Sequence, residues 1–260
     1  MYKKLTKQDF WKILKVADDY SVDALIVVGT NPRSKEYPDL YEALNNLGIK
    51  YEEEKIEDSF FGEVKSFVIK GKRVWFDVVY GAAYLSELTH VASLLGSKLN
   101  ILLGSCGGLQ KKLETMSTII PEMSFADESF SRMYQKGGNI FEHKSDSNLS
   151  NLIKKYLLGR KNVYGGNQMT IQAMLAETEE DIKLWNNRGY IGVDMESSVV
   201  FAVSNYFNVP SAALLYVAEN LVKNELITDD SFALKRQQRR ELKKENYEIA
   251  FRVVLDEINK

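Results

Sequence analysis

Four short apolar runs rich in β-branched residues constrain the fold of this chain more than any other feature. They are uninterrupted by polar alternation, which is typical of strands that are covered on both faces. The runs span residues 23–29, 73–81, 100–104 and 211–217. Helical patterns separate them, over residues 84–95 and 195–207 among others. Strands that alternate with helices predict an α/β sandwich with a largely parallel or mixed sheet.

The composition is that of an ordinary globular protein and excludes several functional classes. At 260 residues the chain fits a single domain over 1–260. A formal net charge of −2 gives no electrostatic drive toward nucleic acid or an anionic membrane. One cysteine, Cys106, and two isolated histidines, His90 and His143, predict no disulfide and no metal site. No run resembles a signal peptide or a membrane span, so we expect a cytoplasmic protein.

The compositions of two polar segments predict their structure. Residues 135–151 are polar and contain glycines, which predicts a surface loop. Residues 229–260 begin within a Thr-Asp-Asp-Ser capping signal at 228–231 and continue as an amphipathic helix. Its basic run, KRQQRRELKK, is compatible with RNA binding, but the run carries no interleaved aromatic residues. A solvated helix face is therefore favoured.

Two glycine-bearing segments follow apolar runs and could bind an anion. Gly29 ends the first run, and Arg33, four residues later, offers a fork of donors that matches phosphate. An ordinary turn with a surface arginine explains this segment equally well. The second segment is Gly104-Ser105-Cys106-Gly107-Gly108, where exposed amides and the Ser105 hydroxyl would form an anion nest. A tight structural turn is the alternative there.

Two acidic segments could bind a sugar or act as an acid. Met195 and Glu196 lie where a helical stretch opens, and such a pair could pack on a sugar and accept its hydroxyl hydrogen bonds. Ordinary N-terminal helix chemistry is the alternative. The segment Ala218-Glu219-Asn220 directly follows the last apolar run, where the Glu219 carboxyl group could be an acid or the cap of the next segment.

In this order and spacing, these segments resemble the nucleoside phosphorylase and nucleosidase superfamily. It includes hexameric purine nucleoside phosphorylases, uridine phosphorylases and methylthioadenosine nucleosidases. The resemblance extends over residues 24–222, and GSCGGL with GYIGVDMESSVVFAV forms its most specific part. It implies a three-layer α/β/α sandwich with a mixed central β-sheet, assembled as dimers that form hexamers. It also implies phosphorolysis of a nucleoside with inorganic phosphate as co-substrate and no cofactor.

The resemblance also implies roles for individual residues. Gly29, Arg33 and Ser105 correspond to the phosphate-binding elements. Met195 and Glu196 correspond to the ribose contacts, and Glu219 to the acid that protonates the leaving base. The remaining nucleoside-binding positions form a list: Met174, Leu175, Cys106 and Gly107.

Three positions depart from the family pattern. Leu102 replaces an arginine that usually precedes the serine of the second motif, Glu219 replaces an aspartate, and Met174 with Leu175 replaces aromatic residues. Loss of a phosphate-directed arginine weakens charge-assisted binding unless a neighbour substitutes. Two other interpretations therefore stay open: a hydrolytic nucleosidase of the methylthioadenosine type, and a non-catalytic nucleoside-binding member of the fold.

Overall fold

A computed structural model describes residues 2–30, 32–56, 62, 64–135 and 140–260. Within these ranges the strands are β1 (Ala24–Gly29), β2 (Glu52–Glu54), β3 (Lys65–Ile69), β4 (Lys72–Val79), β5 (Asn100–Gly108), β6 (Thr118–Asp127), β7 (Glu142–Lys144), β8 (Val163–Ile171), β9 (Gly192–Asp194) and β10 (Ser211–Asn220). The helices are α1 (Lys7–Leu14), α2 (Arg33–Asn46), α3 (Ala82–Leu94), α4 (Ser147–Tyr156), α5 (Glu179–Asn187), α6 (Ser197–Phe207), α7 (Asp230–Leu234) and α8 (Arg236–Ile258).

The strands form one mixed sheet, in the order β10-β6-β8-β9-β5-β1-β4-β3-β2, with β7 paired to β6 and β10 also paired to β5. The four apolar runs of the sequence are its centre. β1 pairs in parallel with β4 and with β5, and β5 pairs in parallel with β10. Antiparallel pairs join β5 to β9 and β10 to β6. The carboxyl ends of β1, β5 and β10 therefore meet at one edge.

Helices cover both faces of this sheet, as the alternation of side chains along β1 shows. Leu25 and Val27 pack on one face in a core cluster that includes residues of α3 and α6. Ile26 and Val28 point to the other face and pack with residues of α2 and α8. The three-layer α/β/α sandwich expected from the sequence is confirmed.

Some predicted element boundaries are wrong. The strand predicted to end at Gly104 continues to Gly108, so the glycines of the second motif are extended backbone and form no tight turn. The loop predicted over 135–151 contains β7 and the beginning of α4, while 136–139 lie outside the described residues. The helix predicted from Met195 begins at Ser197, after the short strand β9.

The basic run at the start of α8 is not simply a solvated face. Its side chains pair with carboxylates of α2, about two hundred residues away in sequence. Arg240 binds Asp39, Lys243 binds Glu36, and Lys244 binds Glu42. These ion pairs join α8 to α2, and α8 lies beside the ends of β1 and β5. Arg239 and Lys244 of the basic run are buried.

Candidate active site

A cavity of about 300 Å³ lies where β1, β5 and β10 end. Ligands bind at this edge of open α/β sheets because the loops diverge there. Eight residues that the sequence marked as site residues line it: Gly29, Ser105, Cys106, Gly107, Met174, Met195, Glu196 and Glu219. Residues that are distant in sequence therefore meet in one pocket of nucleoside size.

Glu196 is an acidic group that two backbone donors hold at the wall of this cavity. Its carboxylate accepts hydrogen bonds from the backbone N–H of Gly81 at 2.7 Å and of Met195 at 3.2 Å. Gly81 has φ +80°, a conformation that favours glycine. Burial, reinforced by the nearby charge of Asp194, raises the pKa of Glu196 to about 7. Two backbone donors thus hold this carboxyl group at the cavity wall.

Asp194 supports this segment from behind. Its carboxylate accepts hydrogen bonds from the Thr170 hydroxyl at 2.7 Å and from the backbone N–H of Ser197 at 3.1 Å. Burial nevertheless raises its pKa to about 6, although these donors act in the opposite direction. Asp194 fixes the connection between β9 and α6, which orients Met195 and Glu196 toward the cavity.

Glu219 and Glu177 bring a second pair of acidic groups to the cavity. The Oε2 atom of Glu219 is buried, and no residue in the described ranges hydrogen-bonds to it. Burial raises the pKa of Glu219 to about 7, with a further contribution from Glu225, while Arg239 acts in the opposite direction. Burial and the charge of Glu219 also raise the pKa of Glu177 to about 7. A carboxyl group with such a pKa can donate a proton near neutral pH.

Gly29 and Ser105 line the cavity, and Gly104 lies beside them in β5. Gly29 and Gly104 are directly paired in the parallel ladder, and a Cβ on Gly104 would lie 3.2 Å from the carbonyl oxygen of Gly29. The Ser105 side chain hydrogen-bonds to Tyr216. The absence of side chains on the two glycines lets the Glu196 carboxyl group lie against Gly29 and lets β1 and β5 approach closely.

Arg33 and Leu175 are not among the residues that line the cavity. The Arg33 guanidinium donates to the carbonyl oxygen of Val78 at 2.8 Å, approaches Asp77 at 3.5 Å and lies over the Tyr84 ring. Leu175 is 91% exposed. The structure therefore brings neither side chain to the position that the sequence resemblance implies.

Cys106 borders the cavity but is poorly suited to nucleophilic chemistry. It is buried, and burial raises the pKa of its thiol well above the ordinary value. A thiol that stays protonated is a weak nucleophile. Its place in the wall is compatible with packing against a ligand.

Four residues that line the cavity belong to none of the candidate site segments of the sequence: Tyr80, Glu177, Leu221 and Ile227. Glu177 follows Met174 by three residues, and Tyr80 lies at the end of the apolar run that forms β4. The position of Tyr80 at a strand end is a signal that could have indicated it. Glu177 gave no such signal, because the turn between β8 and α5 brings it to the cavity only in the folded chain.

The fold and this cavity define an α/β protein with a small-molecule site at the carboxyl edge of its sheet. A sequence model described as the Phosphorylase superfamily matches residues 23–254. The chain belongs to the phosphorylase superfamily, an enzyme family of nucleoside phosphorylases and nucleosidases.

Individual relatives are distant. The chain is 25% identical over 169 residues to a DeoD-type purine nucleoside phosphorylase of Bacillus cereus, which covers 62% of this chain and 69% of that protein. A uridine phosphorylase of Vibrio fischeri superposes with a TM-score of 0.72 at 19% identity, covering 98% of each chain. A 5'-methylthioadenosine/S-adenosyl homocysteine nucleosidase of Helicobacter pylori gives 0.65 at 16% identity, covering 91% of this chain and 99% of that one. At these identities the structural likenesses show the fold.

In the described part of the chain, no group of three or more His, Cys, Asp or Glu side chains is arranged to hold a metal ion. Among the described helices, none has both the length and the apolar character needed to cross a bilayer.

Proposed function

We propose that the protein is a nucleoside phosphorylase, a pentosyltransferase that converts a purine or pyrimidine nucleoside and inorganic phosphate into free base and pentose 1-phosphate. One observation carries this proposal. A single cavity of about 300 Å³ holds an anchored carboxylate, Glu196, and also a buried carboxyl group, Glu219, that has a free oxygen. A nucleoside requires both: a hydrogen-bond acceptor for its sugar hydroxyls and an acid for its base.

At the sugar, Glu196 accepts hydrogen bonds from the vicinal hydroxyl groups, and Met195 packs on the apolar ring face. Because two backbone amides already hold the Glu196 carboxylate, little orientational freedom is lost when the sugar binds. The sugar is thereby fixed, and C1' faces the wall formed by Gly29 and Ser105.

At the base, protonated Glu219 transfers its proton to a ring nitrogen as the glycosidic bond breaks. The bonding electron pair leaves with the base, and positive charge develops on the pentose. A phosphate oxygen then forms the new bond to C1' from the opposite face. A pKa near 7 suits Glu219 to this proton transfer, and Met174, Cys106 and Gly107 border the base.

For the phosphate we propose the wall of Gly29 and Ser105, with Arg33 as a cation. In its present rotamer Arg33 faces Asp77 and Val78, so it would have to rotate. This observation favours a second candidate function, a hydrolytic nucleosidase in which water attacks C1'. Leu102, buried in the core, supplies no phosphate contact in place of the arginine usual in the family.

Incubation with a panel of purine, methylthio-purine and pyrimidine nucleosides, with and without inorganic phosphate, distinguishes these functions. Phosphorolysis predicts free base and pentose 1-phosphate only when phosphate is present. Free base with free pentose in its absence supports the nucleosidase. Nucleoside binding without any base release contradicts both reactions and supports a non-catalytic binding protein. The Glu196→Ala variant, which removes the sugar anchor, serves as the inactive control.

We further propose that the protein is one domain over 1–260 and assembles as a homo-oligomer of dimers, with a hexamer as the expected form, and works in the cytoplasm in nucleoside salvage. The basis is the resemblance to the phosphorylase family. Light scattering coupled to size-exclusion chromatography tests the assembly, and a monomer at micromolar concentration would contradict it.

A further inference from the structure

A second, much smaller cavity lies behind the wall of Gly29 and Ser105. Its volume is about 10 Å³, which is room for about one water molecule. Three of its lining residues, Gly29, Thr30 and Ser105, also line the large cavity. The two spaces therefore share one wall, and the other side of the small space is closed by residues of β10 and α8: Tyr216, Lys243, Asn246 and Tyr247.

Lys243 is the cationic member of this lining. Its ammonium group contacts the buried carboxylate of Glu36 at 2.5 Å, and the Tyr247 hydroxyl donates to the same carboxylate. A lysine ammonium group has three donors, so this contact with Glu36 leaves donors for a ligand. Glu36 thus positions the ammonium group beside the wall that the two cavities share.

Arg239 lies one helical turn before Lys243, on the same face of α8. The residue is 8% exposed, and its Nη1 atom is buried without a hydrogen-bond partner in the described part of the chain. Its guanidinium carbon lies 3.6 Å from the centroid of the Phe232 ring. Tyr216 and Glu219 are the groups that most favour its charged form. A buried donor without a partner is rare and calls for a ligand or an ordered water.

The other basic residues considered for the anion lie elsewhere. Arg73 and Lys72 are at the amino end of β4, the opposite end of the sheet, where Arg73 binds Glu54 through two nitrogen atoms and Lys72 lies 3.7 Å from Asp23. Arg33 faces Asp77. The donors around the shared wall are thus backbone amides, the hydroxyl groups of Thr30 and Ser105, and the Lys243 ammonium group, a set that suits a tetrahedral oxyanion. Arg239 lines neither cavity, but it interacts electrostatically with Tyr216 and Glu219, which do.

We propose that α8 supplies the positive charge of the phosphate site, with Lys243 and Arg239 in the role that an arginine on β5 would otherwise perform. This inference rests on the proposed phosphorolysis only for the identity of the anion. The oxyanion would lie in the large cavity against Gly29 and Ser105, and the two cations would act from behind that wall.

Calorimetric titration of the whole protein with inorganic phosphate tests the inference, using Lys243→Met and Arg239→Gln. We expect each substitution to weaken phosphate binding roughly ten- to a hundredfold, since each removes a positive charge that attracts the anion across the wall. The Michaelis constant for nucleoside should change less than about twofold. Lys244→Met is the matched control, because that neighbouring ammonium group binds Glu42 and Glu241 instead and its loss should leave phosphate binding unchanged.

Lys243→Met leaves the buried Glu36 carboxylate without its cation, which could prevent folding. The double variant Glu36→Gln with Lys243→Met removes both charges and keeps the test decisive. A folded double variant that binds phosphate as the wild type does overturns the inference, and so does a wild type that binds no phosphate. If phosphate binding depends on Lys243 but base release does not require phosphate, the proposed phosphorolysis fails and this inference stands.

Discussion

Gly29 and Glu196 fit against each other with no space to spare: a Cβ built on Gly29 would lie 2.9 Å from both Cδ and Oε2 of the Glu196 carboxyl group. The two residues are 167 positions apart, as their numbers show, and belong to different ends of the proposed site. The glycine on the phosphate side therefore determines where the carboxylate on the sugar side can lie.

The Gly29→Ala substitution tests this relationship. The new methyl group must displace the Glu196 carboxylate from the Gly81 amide that holds it. We expect a loss of kcat/KM for nucleoside of tenfold or more, and a decrease of about 1–3 kcal/mol in the free energy of unfolding. Steady-state kinetics and denaturant unfolding measure these effects.

Gly165→Ala is the matched control for that substitution. A Cβ there would lie 2.6 Å from Oε1 of Glu122, which is a comparable approach to a carboxylate. The Glu122 side chain is 59% exposed, however, and can move into solvent. Near wild-type activity and stability are expected, and equal damage in both alanine variants would argue against a special role for the Gly29–Glu196 contact.

Ionisation of the buried Glu196 carboxyl group should lower the stability of the folded protein as pH rises. Its pKa rises from 4.5 to about 7 in the folded chain, so the folded state prefers the protonated form. The free energy of unfolding therefore falls as pH rises from about 4.5 to about 7, by roughly 3 kcal/mol for a shift of this size. Glu196→Gln removes this titration. The variant should be inactive, similar to wild type in stability near pH 5, and higher in Tm by roughly 6 °C near pH 8.

Thermal unfolding of both proteins at the two pH values measures this difference. A constant difference in Tm at both pH values would show that Glu196 titrates normally in the folded chain. It would also remove the physical basis for its description as a buried carboxylate that function requires.

Glu219 should make turnover depend on pH in the opposite sense to a general base. Only its protonated form can donate to the leaving base, so kcat/KM should fall as pH rises through about 7. Glu219→Gln keeps the shape but cannot transfer a proton, and we expect kcat/KM to fall roughly a hundredfold or more, with the alkaline decline lost. Rates over a pH series test this. A decline that persists in the glutamine variant would assign the titration to another group.

The charge of Glu177 should raise the pH at which Glu219 loses its proton. The charges of Glu177 and Glu219 repel each other, so neutralising one makes ionisation of the other easier. In Glu177→Gln the alkaline decline of kcat/KM should move to lower pH, by about half a unit. Glu179→Gln is the control, since the Glu179 side chain is 85% exposed and pairs with Lys183. Identical pH profiles for wild type and Glu177→Gln would contradict the coupling.

The centre of the sheet could be predicted from sequence because β1, β4, β5 and β10 are covered on both faces and must be continuously apolar. The continuation of β5 from Gly104 to Gly108 could not be predicted. Consecutive glycines usually indicate a turn, but here they let other chain segments approach the strand. A Cβ on Gly107 would lie 2.6 Å from a methyl group of Leu221, and one on Gly108 would lie 3.0 Å from Val217.

The site was predictable where a residue type sits at the end of an apolar run, as Gly29 and Glu219 do, and Met195 and Glu196 were found through the resemblance. It was not predictable where the fold brings in distant residues. The basic run of α8 has the composition of a solvated face, and only the folded chain shows that Lys243 meets the Glu36 carboxylate. Long-range charge pairs of this kind leave no local pattern in the sequence.

Arg33 provides the sharpest comparison between the family pattern and this chain. If the side chain rotates from Val78 and Asp77 to phosphate, Arg33→Ala should raise the Michaelis constant for phosphate roughly tenfold or more and change that for nucleoside little. If Arg33 only fastens α2 to β4, the substitution should lower stability and leave both constants unchanged. Kinetics at varied phosphate, beside the thermal unfolding of the same variant, separate the two outcomes. Equal increases in both Michaelis constants would contradict a phosphate-specific role, because they would indicate a general disturbance of the cavity.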